Sequence, residues 1–329
     1  MGELALLERL CHRLPLRGDV VIGAGDDCAV VRSSQSDQCD YLLKSDSCIE
    51  GVHFVPQTKG ELVGNKALGR VLSDIAAMGG EPLWILVDLV APSKTPVRRI
   101  ETIYNGMTKL ARQFNIAIVG GDVSAGRDLQ LHVFGVGRQE RGKAVLRSGA
   151  KAGEAIFVTG SLGGSLAGKH LKFQPRLREG KWLARGKWAT AMIDVSDGLL
   201  RDLGHIMRAS NIGARLMLNA IPVSSAARLC SDRKTALTHM FHKRLPAGEI
   251  CALTATSCSQ SLDAAHIAPC SRLTLSTNDA SRSRRSPKGG DFINRDEISG
   301  LTFNLPLAGA LHCKAKLFAA KRELIFCPE

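Results

Sequence analysis

The chain has 329 residues, is 44% hydrophobic and only 5% aromatic, and carries a formal net charge of +13. That length and apolar content suit two packed domains, and no apolar run reaches the roughly 18 residues needed to cross a membrane. Ten Cys without a Cys-x-x-Cys pair exclude zinc-knuckle spacing and read as free thiols in a reducing compartment.

The basic balance points to polyanionic partners, either nucleic acid or phosphorylated small molecules. Few aromatics argue against a single-strand stacking platform. The charge is also spread out: residues 1–238 hold 32 Lys and Arg against 23 Asp and Glu, and residues 239–329 hold 12 against 8. Nucleic acid and membrane are therefore not expected partners. Met1 to Leu16 reads as a short amphipathic helix without the order of a signal peptide, so a cytoplasmic location is expected.

In chain order, Val20-Val21-Ile22 reads as a strand, followed by Gly23-Ala24-Gly25-Asp26-Asp27-Cys28 and a second apolar run. Adjacent carboxylates favour neither strand nor helix and make physical sense beside cations. Tyr41 to Ser47 is a strand ending in a polar tip with Ser45 and Asp46, and His53 lies in the loop after it. Thr58 and Glu61 have capping-box spacing, opening a helix that ends at Gly79-Gly80. Asp74 sits near its C-terminus, where the helix dipole disfavours an anion.

Leu83 to Val90 is a strand, and Thr95-Pro96 opens a helix with Pro at its first position. Ile116 to Val119 is a buried-type strand that stops at Gly120-Gly121-Asp122, again placing a carboxylate at a strand tip. Gly163 to His170 approaches a phosphate-binding Gly-x4-Gly-Lys-Ser/Thr loop but ends in His, so a glycine-rich helix entry is the reading. Met192 to Val195 runs into Ser196-Asp197-Gly198 and a helix. Ser196 or Asp197 there is a simple cap or part of a phosphate-plus-metal platform. After Thr238 periodicity fades, and Ser, Arg and Cys rise.

Asp26, Asp27, Asp46, Asp74, Asp122 and Asp197 recur at tips and helix ends. If folding gathers them, cations must bridge them. Hard oxygens without His or Cys indicate Mg2+, which completes its shell with substrate phosphates. Phosphoryl transfer is the matching chemistry.

The ordered motifs Gly25-Asp26-Asp27-Cys28-Ala29, Ser45-Asp46, Gly51-Val52-His53-Phe54, Leu72-Ser73-Asp74-Ile75-Ala76-Ala77-Met78-Gly79, Gly120-Gly121-Asp122, Arg147 to Gly153 and Asp194-Val195-Ser196-Asp197-Gly198-Leu199 resemble the thiamine-monophosphate kinases, of the aminoimidazole-ribonucleotide-synthetase-like superfamily. The resemblance covers roughly residues 3–238. It implies an α/β (α+β) fold of two domains, an N-terminal domain (1–145) that pairs in a homodimer around a shared β-barrel, and a second domain beginning at 146. It implies ATP as co-substrate, thiamine monophosphate as acceptor, and Mg2+ at Asp26, Asp27, Asp46, Asp74, Asp122 and Asp197. Ser45, Gly121, Asp122, Arg147 and Ser196 would contact nucleotide, His53 would lie near the acceptor, and Ser196 and Asp197 would be catalytic. The family's Gly-Gly-Glu-Asp-Tyr-Glu-Leu-Leu-type strand is reduced here to Gly248-Glu249. Residues 239–329 are thus expected to form a divergent or frame-shifted tail that leaves the second sheet unfinished. The alternatives are a degenerate kinase, a selenophosphate-synthetase-like enzyme or a hydrogenase-maturation ATPase.

Overall fold

The computed structural model describes residues 3–11, 13–217 and 220–229, together with the backbone of five later strands at 249–254, 273–274, 301–306, 312–320 and 323–327. The elements run α1 (Glu3–Cys11), β1 (Val20–Ile22), β2 (Ala29–Val31), β3 (Cys39–Ile49), α2 (Gly60–Ala77), β4 (Glu81–Ala91), α3 (Val97–Gln113), β5 (Ala117–Ala125) and β6 (Gln130–Glu140). Then come β7 (Ala155–Val158), a 3₁₀ turn at Ser165–Ala167, α4 (Lys169–Lys172), α5 (Leu177–Arg185), β8 (Ala189–Val195), α6 (Leu199–Ser210), β9 (Ala214–Met217) and α7 (Ser225–Leu229). The later strands are β10 (Glu249–Thr254), β11 (Leu273–Thr274), β12 (Leu301–Pro306), β13 (His312–Ala320) and β14 (Glu323–Cys327). No described helix is long and apolar enough to cross a membrane.

Two sheets result, the first mixed through the parallel β4–β5 pair and the second antiparallel throughout. The first has six strands in the order β1-β2-β3-β6-β4-β5, and the second eight in the order β12-β13-β14-β9-β11-β7-β10-β8. The central element is α2, which packs on β3, β6 and β4 of the first sheet, on α3 to one side, and on α4, α5 and β8 of the second unit. A helix packed on several sides must bury much apolar surface, and in α2 Val63, Leu68, Val71, Leu72 and Ile75 are fully buried. The polar residues that α2 also buries, Lys66, Ser73 and Asp74, each have a polar partner. Its crossing with α3 is close because Gly64 and Gly106 lie in the contact. A Cβ at either would strike backbone, of Ile103 and of Glu61 respectively.

Several expectations need correction. Lys59, not Thr58, is the N-cap of α2, and no side chain caps the helix. Pro96 is the N-cap of α3 rather than its first residue. β5 does not stop at Gly120-Gly121-Asp122 but runs through them to Ala125, paired in parallel with β4. Gly121 is required there because a Cβ on it would collide with the Val87 backbone. β3 likewise continues through Asp46 to Ile49 along β6, because the partner strand supplies hydrogen bonds over its whole length. The glycine-rich helix entry expected over Gly163–His170 is, by contrast, present: a 3₁₀ turn and a short helix follow Gly163 and Gly164, both with left-handed φ.

The second sheet also contains a strand where one was expected to be lost. β10 lies between β7 and β8, antiparallel to both, with Cys251 opposite Val158 and Ile193. Ile250-Cys251-Ala252-Leu253 is apolar enough for an interior strand flanked by apolar neighbours. The departure from a packed domain expected over 239–329 otherwise falls largely on residues outside those described.

Candidate active site

Three carboxylates meet between the two sheets. Asp27 comes from the loop between β1 and β2, Asp74 from the last turns of α2, and Asp194 from β8. One ligand oxygen of each lies within 4.8 Å of the others, and all three residues are buried. Each is held by a neighbour. Lys44 Nζ is 3.1 Å from Asp74 Oδ1, Ser73 Oγ donates to Asp194 Oδ2 at 3.0 Å, and an Arg147 guanidinium N–H donates to Asp27 Oδ1 at 2.5 Å. Asp27 Oδ2 is buried with no hydrogen-bond partner among the described residues.

The electrostatics follow from that crowding. Burial pushes the Asp27 carboxyl up to about 7, against the pull of Arg147 and with a further push from Asp194. Burial, then Asp194, drives Asp74 well above the usual carboxylate range. Asp194 is raised chiefly by burial, with Lys44 and Ser73 opposing. Burial works against the charge of Lys44, but Asp74, Asp46 and Asp194 outweigh it and hold the ammonium on. Mutually repelling buried carboxylates, one with an orphaned oxygen, are a donor set completed by a hard divalent cation. The residues present therefore fit Mg2+.

Around this centre, Asp26 accepts the backbone N–H of Arg147 at 3.0 Å, and Asp46 pairs with Arg70 at 2.7 Å. His53 Nδ1 accepts the Ile49 N–H at 3.0 Å. Burial, with Arg70 and Lys66 nearby, lowers its pKa to about 4, so the ring is neutral and presents Nε2–H. At the head of α6, Asp202 Oδ2 accepts the N–H groups of Ser196, Asp197 and Gly198 at 2.9, 3.0 and 3.0 Å. Those helix-start donors are thus already satisfied by a buried carboxylate. Asp197 itself is paired with Arg201 at 2.6 Å.

The six expected acids do not converge as one set. Asp26, Asp27, Asp46 and Asp74 share the charged neighbourhood between the sheets, and Asp197 adjoins it through Asp202. Asp122 is elsewhere. Ser47, His132, Asp88 and Asp122 stand opposite one another across β3, β6, β4 and β5 and so share one face of the sheet. Asp46, one residue from Ser47, faces the other way, toward α2 and Arg70. Ser45 and Gly120 share the Asp122 face. The hydrogen-bond partners of Asp122 are Asp88, which accepts its N–H, and Ser124.

Asp194, Lys44 and Asp202 belong to the site and were not singled out from sequence. Their signal was available: a charge inside an apolar run, as in Met192-Ile193-Asp194-Val195 and Leu42-Leu43-Lys44, is a buried charge that requires a partner.

The chain is similar to known proteins over most of its length. Residues 25–139 match the family model "AIR synthase related protein, N-terminal domain". A thiamine-monophosphate kinase of Rhodopirellula baltica is 37% identical over 247 residues, which is 72% of this chain and 77% of that protein. Among solved structures, AaThiL complexed with AMPPCP and TMP superposes with a TM-score of 0.74 at 26% identity, over 84% of this chain and 91% of that one. The thiamine-monophosphate kinase of Stenotrophomonas maltophilia gives 0.67 at 31% identity, over 84% and 95%.

Proposed function

The chain belongs to the thiamine-monophosphate kinase family, and from that premise we propose that it transfers the γ-phosphoryl group of ATP to thiamine monophosphate, yielding thiamine diphosphate and ADP. An oxygen of the acceptor phosphate forms the new bond to the γ-phosphorus as the bond to the β,γ-bridging oxygen breaks. No covalent enzyme intermediate is required, so the protein's work is positioning and charge control. The observation that carries this reading is the trio of buried carboxylates with the orphaned Asp27 oxygen.

Asp27, Asp74 and Asp194 would hold Mg2+, with Asp26, Asp46 and Asp197 at its margin. Bound there, Mg2+ supplies neutralisation of polyphosphate charge. Arg147 orients the Gly25–Asp27 turn by donating to Asp26, to Asp27 and to the Gly25 carbonyl, and a neutral His53 offers a donor toward the acceptor side. Lys44 balances Asp74. Asp202 fixes the loop that presents Ser196 and Asp197.

The reading extends to a homodimer. The sheet face opposite α2 exposes Trp84 (46%) and Leu86 (40%) beside Asp88 and Asp122. β5 is an edge strand exposed along nearly its whole length. A second copy of this chain would cover that face and bring Ser45 and Asp122 under a shared surface.

The test is a turnover assay with Mg·ATP and thiamine monophosphate, following thiamine diphosphate. Formation at a rate set by both substrates is expected. Nucleotide binding with no product would instead identify a degenerate kinase, and product from a different acceptor would identify another branch of the superfamily.

A further inference from the structure

Lys66 is a lysine buried to 3% exposure with no carboxylate in contact among the described residues. Its ammonium donates to the His53 carbonyl at 2.6 Å and meets His170 Nδ1 at 2.8 Å. Burying an ammonium without a counter-charge is costly, so the position calls for a function beyond packing. The two partners belong to different parts of the molecule: His53 to the loop after β3, and His170 to α4, beyond the 3₁₀ turn.

Lys66 reaches both because α2 passes between them. Its neighbour Asn65 donates from Nδ2 to the carbonyls of Leu171 and Phe173, at 3.0 and 3.4 Å. One turn on, Gly69 lies under the Phe173 ring, where a Cβ would approach to 3.0 Å. Residues 65, 66 and 69 therefore clamp the 169–173 segment onto α2, and Lys66 alone also grips the 49–54 loop. The chain of bonds runs from the Ile49 N–H to His53 Nδ1, and from the His53 carbonyl through Lys66 to His170. Both rings are neutral, lowered to about 4 by burial first, then by Arg70 and Lys66 at His53 and by Lys66 at His170. His170 thus accepts at Nδ1 and carries its proton on Nε2, a tautomer fixed by Lys66.

We propose that Lys66 is a positioning residue for the acceptor substrate, holding the His53 loop in register with the 169–173 segment so that the acceptor side of the site is assembled from both. This rests on the proposed kinase reading but assigns a residue that reading does not use. Lys66 touches none of the three central carboxylates, so the nucleotide side should not depend on it.

The experiment compares wild type with Lys66→Met, His170→Leu and His170→Gln, reading KM for thiamine monophosphate and for Mg·ATP separately. Loss of a hydrogen bond to a charged group predicts an acceptor KM about tenfold higher or more in Lys66→Met and His170→Leu. The ATP KM should stay within about twofold, the scatter of minor perturbations. His170→Gln keeps an acceptor for Lys66 and should restore the acceptor KM. The Lys66→Met/His170→Leu double variant should be little worse than either single one, as members of one network are. Equal shifts in both KM values, no shift in folded His170→Leu, or failure of His170→Gln to rescue would each overturn the inference. Equilibrium binding of the two ligands should show the same split, so a wild-type chain that binds both without turnover defeats the proposed activity and leaves this inference to be decided by affinity.

Discussion

On the α2 side of the first sheet, Asp27 and Asp74 are buried against Asp194. On the open side, Asp88 and Asp122 lie exposed in a row with His132 and Ser47. The residue type is the same and the two groups lie on opposite sides of one sheet. What differs is water. Behind α2 the carboxylates repel in a medium that cannot screen them, and their proton affinities rise. On the open face solvent supports the charges, and nothing in the described chain demands a cation there. In the proposed reading, a cation would complete the first face and a second copy of the chain would cover the other.

The comparison breaks first at Asp194. Asp194→Asn removes one of three converging charges while preserving the shape and the bond from Ser73. Without Mg2+ the variant should melt at a higher temperature than wild type, because repulsion among buried charges is relieved. Its Mg2+-dependent nucleotide affinity should fall by about a hundredfold or more, roughly the 3 kcal/mol of a lost charged ligand. Calorimetric titration of Mg·ATP and melting with and without Mg2+ give the two signs. A variant less stable without metal, or one with unchanged affinity, would remove the cluster from the mechanism.

The open face breaks at Leu86. Leu86→Lys puts a solvated charge in the middle of that face and costs the isolated subunit little, since the side chain is 40% exposed there. In a dimer closed over this face the charge would be buried without a partner, and dissociation should become about tenfold to a hundredfold easier. Sedimentation velocity over a concentration series measures it. A wild type that stays monomeric at micromolar concentration would contradict the homodimer.

Much of this contrast was legible in the sequence, and its limits are physical. The Gly-Asp-Asp turn, the acid near the end of α2 and the strand–helix junction at Asp194–Leu199 all mark places where charge sits against local preference. Patterns of that kind can be seen locally. Which sheet face Asp122 occupies cannot, because it depends on the register of β5 against β4, a non-local pairing. Asp202 was missed for the related reason that Asp in the first turn of a helix reads as ordinary dipole compensation. Its three backbone bonds exist only once the chain has turned at Gly198, whose φ of 113° suits glycine. The expected loss of the strand near residue 249 rested on motif identity. A strand's interior position is set instead by apolar, β-capable residues, and Ile250 to Leu253 retain them.

At the junction between cluster and loop, Asp202→Ala strips one acceptor from three N–H groups and should loosen the presentation of Ser196 and Asp197. Nucleotide affinity is expected to drop about tenfold, near the 1–3 kcal/mol cost of unsatisfied buried donors. Asp202→Asn, which keeps an oxygen acceptor, should lose less. Equal losses in the two variants would mean that the charge, rather than the loop, is what Asp202 provides.

The smallest effect examines burial itself as the cause of the contrast. Desolvation raises an acid but must lower a base, and His205 on α6 supplies the base. Burial, followed by Arg208, Arg147 and Arg201, depresses its pKa from the usual 6.5 to about 3. The unfolded chain therefore takes up a proton below 6.5 that the folded chain refuses until about 3, and stability contributed at neutral pH is lost as pH falls through that window. At pH 5.5 the loss should be about 1 kcal/mol, one pH unit below the unfolded value. His205→Gln cannot titrate. Whatever its stability at pH 7.5, its stability relative to wild type should improve by about that amount on acidification to 5.5, the pH-dependent contributions of all other groups being common to both chains. Denaturant unfolding of the two proteins at both pH values gives the difference. An unchanged gap, or one that moves the other way, would show that His205 is solvated or charge-paired, and would weaken desolvation as the common explanation that also covers Asp27, Asp74 and Asp194.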